Sequence, residues 1–160
     1  MAKPAPGFTM IEMMLVLGVI AVLALMAAPS YMEKIVRDQI IEAMPLADIA
    51  KGPIAAAWAA GAPLPDDNKA AGLPAADKIV SNLVSSVQVD KGAVQITFGN
   101  RANSAIRGKT LSLRPAVVAD APIVPVAWVC GNAPLPDRMT VKGQNKTDVP
   151  PLYLPFKCRL

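Results

Sequence analysis

Histidine is absent from the 160 residues, and aromatic residues make up only 4% of the chain. A chain without histidine lacks the side chain that most often transfers protons near neutral pH and binds transition metals. The sequence also has no glycine-rich phosphate loop, and its Asp66-Asp67 pair is isolated in a turn-like stretch. The composition therefore argues against an enzyme, and we expect neither a cofactor nor a metal site.

Charge is modest in amount and uneven in distribution. The formal net charge is +4, with charged residues making up 18% of the chain. Residues 8–84 carry eight acidic and five basic side chains, whereas residues 85–160 carry four acidic and ten basic ones. The basic distal half could be a solvated face, a complement to the acidic half of a neighbouring copy, or a phosphate-binding surface. The scarcity of aromatic residues for base stacking favours the first two interpretations.

What the chain has in excess is one long apolar run. The segment from Phe8 to Ala28 carries a single charge, Glu12. As a helix it would be about 31 Å long, close to the hydrocarbon thickness of a bilayer, so we predict a transmembrane helix. A secretory signal peptide is the alternative, but its apolar core is usually only about 7 to 15 residues long and contains no acid.

The segment after Pro29 has a helical period. Apolar residues recur at steps of three and four from Met32 to Ala57, which predicts an amphipathic helix over residues 30–60. Pro29 is expected to kink the long helix, and Pro45 and Gly52-Pro53 are expected to bend or interrupt it further along.

The rest of the chain predicts a loop followed by a sheet. Residues 61–82 are rich in proline, glycine and aspartate and indicate a connecting loop. In residues 83–160, "LVSSVQV" and "AVQITF" joined by "DKG" predict a hairpin, and "KTLSLRP" and "PIVPVAWVC" predict two further strands. The predicted fold class is α+β, with a long N-terminal helix on a four-stranded antiparallel sheet and an irregular C-terminal loop.

The two cysteines, Cys130 and Cys158, lie late in the chain. A chain that crosses a membrane early would deliver them to the far side, and in an oxidising compartment they would pair. Closing this loop would contribute about 3.5 kcal/mol in the chain-entropy account of disulfides. A metal site is the weaker alternative, because only these two thiols and no histidine are available as ligands.

Two sets of motifs resemble a known family. Gly7 is followed by "FTMIEMM", which places Glu12 at the fifth position after the glycine, and Pro29 and Tyr31 follow. At the other end stand "VSSVQVDKGAVQITFGN", "GKTLSLRP", "WVCGN" and "YLPFKCRL". Together these motifs resemble the type IV pilins of the short-leader, type IVa class, and in particular the neisserial and pseudomonad pilins, over nearly the whole chain.

The resemblance implies a processing site and a cellular route. Residues 1–7 would be a leader, cut by a prepilin peptidase between Gly7 and Phe8, with methylation of the new Phe8 amine. Residues 8–29 would hold the subunit in the inner membrane of a Gram-negative bacterium as a single-pass protein and later form the filament core. The partners would be copies of the same chain in a homopolymeric helical filament, together with the inner-membrane pilus assembly machinery.

The resemblance also implies roles in the filament. Glu12 would pair with the Phe8 amine of a neighbouring subunit, which would offset the cost of a carboxylate in the membrane and fix the subunit register. Pro29 would be a kink, or a place where the helix loosens on packing. The extracellular pilus would serve adhesion and twitching motility, with the loop between Cys130 and Cys158 facing a host-surface ligand.

Two other functions share these features. A minor, competence-type pilin could bind DNA through basic residues of the sheet and C-terminal loop, for which Arg138, Lys142 and Lys146 are the candidates. A pseudopilin of a type II secretion system shares the leader and the glutamate. It ranks lower because major pseudopilins generally lack the disulfide-bounded region.

Overall fold

The computed structural model describes residues 7–159, except for the side chains of residues 27–30. The chain divides into two compact units, Met1–Ile35 and Val36–Leu160. The first helix, α1, extends from Met10 to Ala43.

The helical part ends in a broken helix. A 3-10 turn at Met44–Ala47 follows α1, and α2 occupies Asp48–Ala59. The predicted interruption at Pro45 is confirmed, since Pro45 lies in the first turn of the 3-10 segment, where a missing N–H costs least. Pro53 lies inside α2, so the helix is not interrupted there, and the alternative of a bend at Gly52-Pro53 stays a prediction. Ala50 and Ile54, both completely buried, hold that helix in place despite the missing hydrogen bond.

The sheet is antiparallel, with the strand order β1-β2-β3-β4. Its strands are β1 (Val84–Asp90), β2 (Ala93–Phe98), β3 (Thr110–Val117), β4 (Ala127–Cys130) and a short β5 (Thr140–Val141). β1 and β2 form the predicted hairpin, with Lys91 and Gly92 in its turn at positive φ. The predicted α+β fold is confirmed, and the sheet contains the four predicted strands together with the short β5.

Two features of the sheet differ from the prediction. β4 begins only at Ala127, because Pro122 and Pro125 lack the N–H groups that a strand would need. β5 lies within the predicted irregular loop and pairs with Ala116 and Val117 of β3. Two residues are too few to leave an alternating pattern in the sequence.

The hydrophobic core of the second unit lies between the helices and one face of the sheet. The helices contribute the buried side chains of Val36, Ile40, Ala43, Ala47, Ala50 and Ile54. The sheet contributes Val87, Val89, Val94, Ile96, Phe98, Leu111 and Leu113. The spacing of three and four in the first set and of two in the second reproduces the periods expected for a helix and a strand. One continuous core therefore supports the C-terminal region.

Candidate functional site

The first unit presents an apolar helix without any protein around it. Every side chain described from Gly7 to Met26 is exposed, and most of them are large and apolar. The N-terminal helix contains an 18-residue stretch with a mean hydropathy of 2.5. Among the described residues, it is the one helix that is long and apolar enough to cross a membrane. Such a surface requires lipid or other apolar helices around it.

The Gly7–Phe8 peptide bond lies just before this helix, in chain without regular structure. Residues 7–9 precede the first helical residue, Met10. Phe8 is 80% exposed, and an added Cβ at Gly7 would meet no atom within 4 Å. A protease that binds its substrate in extended form can therefore reach this bond without unwinding the helix.

Glu12 closes a capping box at the start of α1. Its carboxylate accepts a hydrogen bond from the Thr9 backbone N–H at 2.8 Å and another from the Thr9 hydroxyl at 2.9 Å. In return, the Thr9 hydroxyl oxygen accepts a bond from the Glu12 N–H at 3.3 Å. These reciprocal bonds satisfy donors that a helix N-terminus leaves unpaired. Sequence reasoning missed this role, although "TMIE" carries the Ser/Thr-x-x-Glu signature.

The role of Pro29, as a kink or as a place where the helix loosens, stays a prediction. Pro29 lies within the bounds of α1 but in the stretch whose side chains are not described. The predicted leader, residues 1–7, lies outside the described residues apart from Gly7.

The predicted disulfide between Cys130 and Cys158 is confirmed. Cys130 is the last residue of β4, and Cys158 ends a 3-10 turn, Phe156–Cys158. Their Cα atoms are 4.6 Å apart, and both side chains are buried. The bond excludes the metal-site alternative for these two thiols, since each sulfur is bonded to the other.

The chain between the cysteines is irregular but firmly held. It crosses the sheet face opposite the helices, where the Lys146 N–H donates to Ser112 Oγ at 2.7 Å and Gln95 Nε2 donates to the Gln144 carbonyl at 3.1 Å. The Ser112 N–H in turn donates to Thr147 Oγ1 at 3.0 Å. Gln95 and Ser112 are buried beneath this crossing. Buried polar side chains of the strands thus fix the loop by hydrogen bonds.

The three candidate DNA-binding residues occupy different settings. Arg138 and Lys142 are exposed and flank the two residues of β5. Lys146 forms an ion pair with Asp90 at 2.6 Å, so that its charge is largely compensated within the subunit. DNA binding by these residues stays a prediction.

Comparisons with known proteins agree at both ends of the chain. The Pilin family profile, described as a bacterial filament protein, matches residues 36–159, and the prokaryotic N-terminal methylation motif matches residues 3–28. A fimbrial protein of Neisseria meningitidis serogroup A is 32% identical over 162 residues, covering 96% of this chain and 93% of the relative.

Two further relatives carry similar names. A type IV major pilin protein, PilE, of Neisseria gonorrhoeae is 32% identical over 160 residues, covering 96% of this chain and 93% of the relative. Fimbrial protein Q of Moraxella bovis is 32% identical over 139 residues, covering 78% of this chain and 83% of the relative. The chain therefore belongs to the pilin family and is a structural filament subunit, not an enzyme.

Proposed function

We propose that this protein is the precursor of a type IV pilus subunit, cut between Gly7 and Phe8 by a prepilin peptidase and methylated on the Phe8 amine. The observation that carries the proposal is the exposed, non-helical Gly7–Phe8 bond directly before an exposed apolar helix. The N-terminal methylation motif spans the same residues. The names of the neisserial relatives favour the major subunit over the minor, DNA-binding alternative.

Residues 8–29 would hold the subunit in the inner membrane as a single-pass helix before assembly. The assembly machinery would then move it sideways into the filament core, where contacts with other helices replace contacts with lipid. Both surroundings are apolar, so the exchange adds little desolvation cost, and packing between helices can favour the filament. Residues 30–60, 61–82 and 83–160 would remain folded during this transfer.

Glu12 would act in both states. In the membrane, a lone carboxylate costs about 2.5 to 3.5 kcal/mol on insertion scales, and the two bonds from Thr9 reduce its need for a partner. In the filament, the Phe8 amine of a neighbouring subunit would supply the opposite charge. Because the correct register alone brings amine and carboxylate together, Glu12 would select that register.

Pro29 would let the helix adjust when it packs in the filament. A proline within a helix removes one backbone hydrogen bond and weakens the preceding turn. The exposed loop between Cys130 and Cys158 would face outward and contact a host-surface ligand, in keeping with adhesion and twitching motility.

Mass spectrometry of filaments sheared from cells tests the proposal. We expect an abundant chain that begins at methylated Phe8 and lacks the pair of hydrogens lost on disulfide formation. A Gly7→Ile variant should remain uncut in the membrane, whereas Gly18→Ala, in the same apolar segment, should be processed normally. An uncut wild-type chain, or a cut near Ala28, would contradict the proposal. Correct processing with only trace amounts in filaments would instead identify a minor subunit.

A further inference from the structure

Two guanidinium groups converge on one carbonyl oxygen near the end of the chain. Arg37, in the part of α1 that belongs to the second unit, donates from Nη2 to the Leu152 carbonyl at 3.1 Å. Arg159 donates from its own Nη2 to the same oxygen. Both guanidinium carbons also lie beside the ring of Phe156, at 5.2 and 5.1 Å from its centroid.

This arrangement concentrates positive charge. Because both bonds end on one oxygen, the two Nη2 atoms are no farther apart than two hydrogen-bond lengths, about 6 Å. Like charges at this distance repel, and the aromatic ring and the carbonyl compensate only in part. Within residues 7–159, the ion pairs involve other side chains, and no Asp or Glu carboxylate of that range lies within 4.0 Å of either guanidinium.

The two arginines retain unused donors. Arg159 spends Nε on the Leu154 carbonyl and Nη2 on Leu152, while the Nε of Arg37 is buried without a partner in the described part of the chain. A guanidinium has five N–H donors in a planar fork, so several remain on each side chain. Arg37 and Arg159 are each partly exposed, so a solute can reach the pair.

We propose that Arg37 and Arg159 form a binding site for a tetrahedral oxyanion, namely a phosphate group. A phosphate presents several acceptor oxygens and suits bidentate contact with a guanidinium, and its negative charge removes the repulsion between the two arginines. Free inorganic phosphate and the phosphate of an anionic lipid headgroup share this chemistry. The site goes beyond the proposed function, which assigns no role to either arginine.

Calorimetric titration of the full chain with sodium phosphate tests the site. The chain is held in nanodiscs of phosphatidylcholine, and ionic strength is kept constant with chloride. The variants are Arg37→Gln and Arg159→Gln, and Arg101→Gln is the matched control because Arg101 is exposed and carries the same charge. Thermal unfolding in chloride alone identifies any variant that fails to fold.

We expect saturable phosphate binding to wild type and Arg101→Gln, with affinity weakened on the order of tenfold or more in each site variant. In chloride, both site variants should unfold below the wild-type temperature, because each loses hydrogen bonds to backbone carbonyls of Leu152 or Leu154. A purely structural role for the arginines would lower that temperature in the same way but would leave phosphate binding unchanged. Absence of phosphate binding to wild type in phosphatidylcholine, or equal binding by Arg37→Gln and Arg159→Gln, would overturn the proposal.

Nanodiscs that contain phosphatidylglycerol distinguish the two phosphate sources. If headgroups occupy the site, free phosphate should lose its binding signal in wild type on this membrane. If the natural ligand is free phosphate, the signal should persist. Both results support an oxyanion site and differ only in the origin of the ligand.

Discussion

The side chain of Asn68 completes the outer edge of β1 by bonding to the backbone on both sides of Gln88. Its Oδ1 accepts a hydrogen bond from the Val89 N–H at 2.6 Å, and its Nδ2 donates to the Val87 carbonyl at 3.0 Å. Asn68 is buried, and it also donates to the Pro74 carbonyl at 2.9 Å. One amide therefore joins the connecting loop to the sheet and protects an edge that would otherwise be open to pairing.

Asn68→Ala should lower the free energy of unfolding by about 3 kcal/mol, because it leaves a buried N–H and a carbonyl of β1 without partners. Urea unfolding of the full chain in a neutral detergent, followed by circular dichroism, measures the change. Asn82→Ala removes the same group from an exposed position and should change stability by less than about 0.5 kcal/mol. Equal effects of the two substitutions would show that the Asn68 bonds do not stabilise the edge.

Gly143→Ala should destabilise the loop where it crosses the sheet. Gly143 has a φ of +78°, and an added Cβ would lie 2.6 Å from Ala93 Cβ and 2.9 Å from Ala93 N. Gly108→Ala is the matched control, since Gly108 has a φ of +76° but no atom within 4 Å of an added Cβ. Each substitution should cost about 1 to 2 kcal/mol for the left-handed backbone, and Gly143→Ala should cost a further 1 to 3 kcal/mol for the clash. Urea unfolding that gives equal losses would exclude the close approach.

The sequence predicted the parts of the fold that repeat a period. The helix at Met32 to Ala57 and the hairpin around "DKG" carry periods of about 3.6 and 2, and both were found. It did not predict β5 or the course of the loop over Ser112. Both depend on single contacts between residues far apart in the chain, which leave no periodic trace.

In the candidate site too, the features that lie within a short stretch of sequence could be predicted, and those that depend on distant residues could not. Gly7, Phe8 and Glu12 were predicted as site residues because they form a local motif, and the capping box was visible in "TMIE" although it was not recognised. In contrast, the pairing of Lys146 with Asp90 could not be predicted from the sequence. It requires the loop to reach the end of β1, which only the three-dimensional structure specifies.

Cys158→Ser should lower the free energy of unfolding by about 3.5 kcal/mol and reduce the number of surface pili. The disulfide closes a loop with a sequence separation of 28, and both cysteines are buried. The double variant Cys130→Ser/Cys158→Ser removes any effect of a free thiol and should show the same loss, as should wild type under reducing conditions. Urea unfolding and electron microscopy provide the two measurements. Wild-type stability together with wild-type piliation would rule out this role for the bond.

Glu12→Gln should distinguish the effect of the capping box from the effect of the negative charge. Glutamine can also close a capping box with Thr9, so the helix should still begin at Met10 and the subunit should still insert into the membrane. It cannot form an ion pair with an amine, so filament yield should fall severalfold if charge pairing fixes the register. Immunoblots of sheared filaments and of membranes measure the two quantities in the same cells.

Substitutions at Thr9 provide the complementary test. Thr9→Val removes the hydroxyl that donates to the Glu12 carboxylate and accepts from the Glu12 N–H. The loss should destabilise the first turn of α1 by about 1 kcal/mol. Thr9→Ser keeps the hydroxyl and should keep the stability of that turn. Thr9→Val and Glu12→Gln could reduce the filament yield equally while the amount of subunit in the membrane stays constant. In that case assembly needs both the hydrogen bonds from Thr9, which orient the carboxylate, and the charge of Glu12. If Glu12→Gln assembles at the wild-type level, the charge is not needed, and the capping box alone accounts for an acid at the start of an apolar helix.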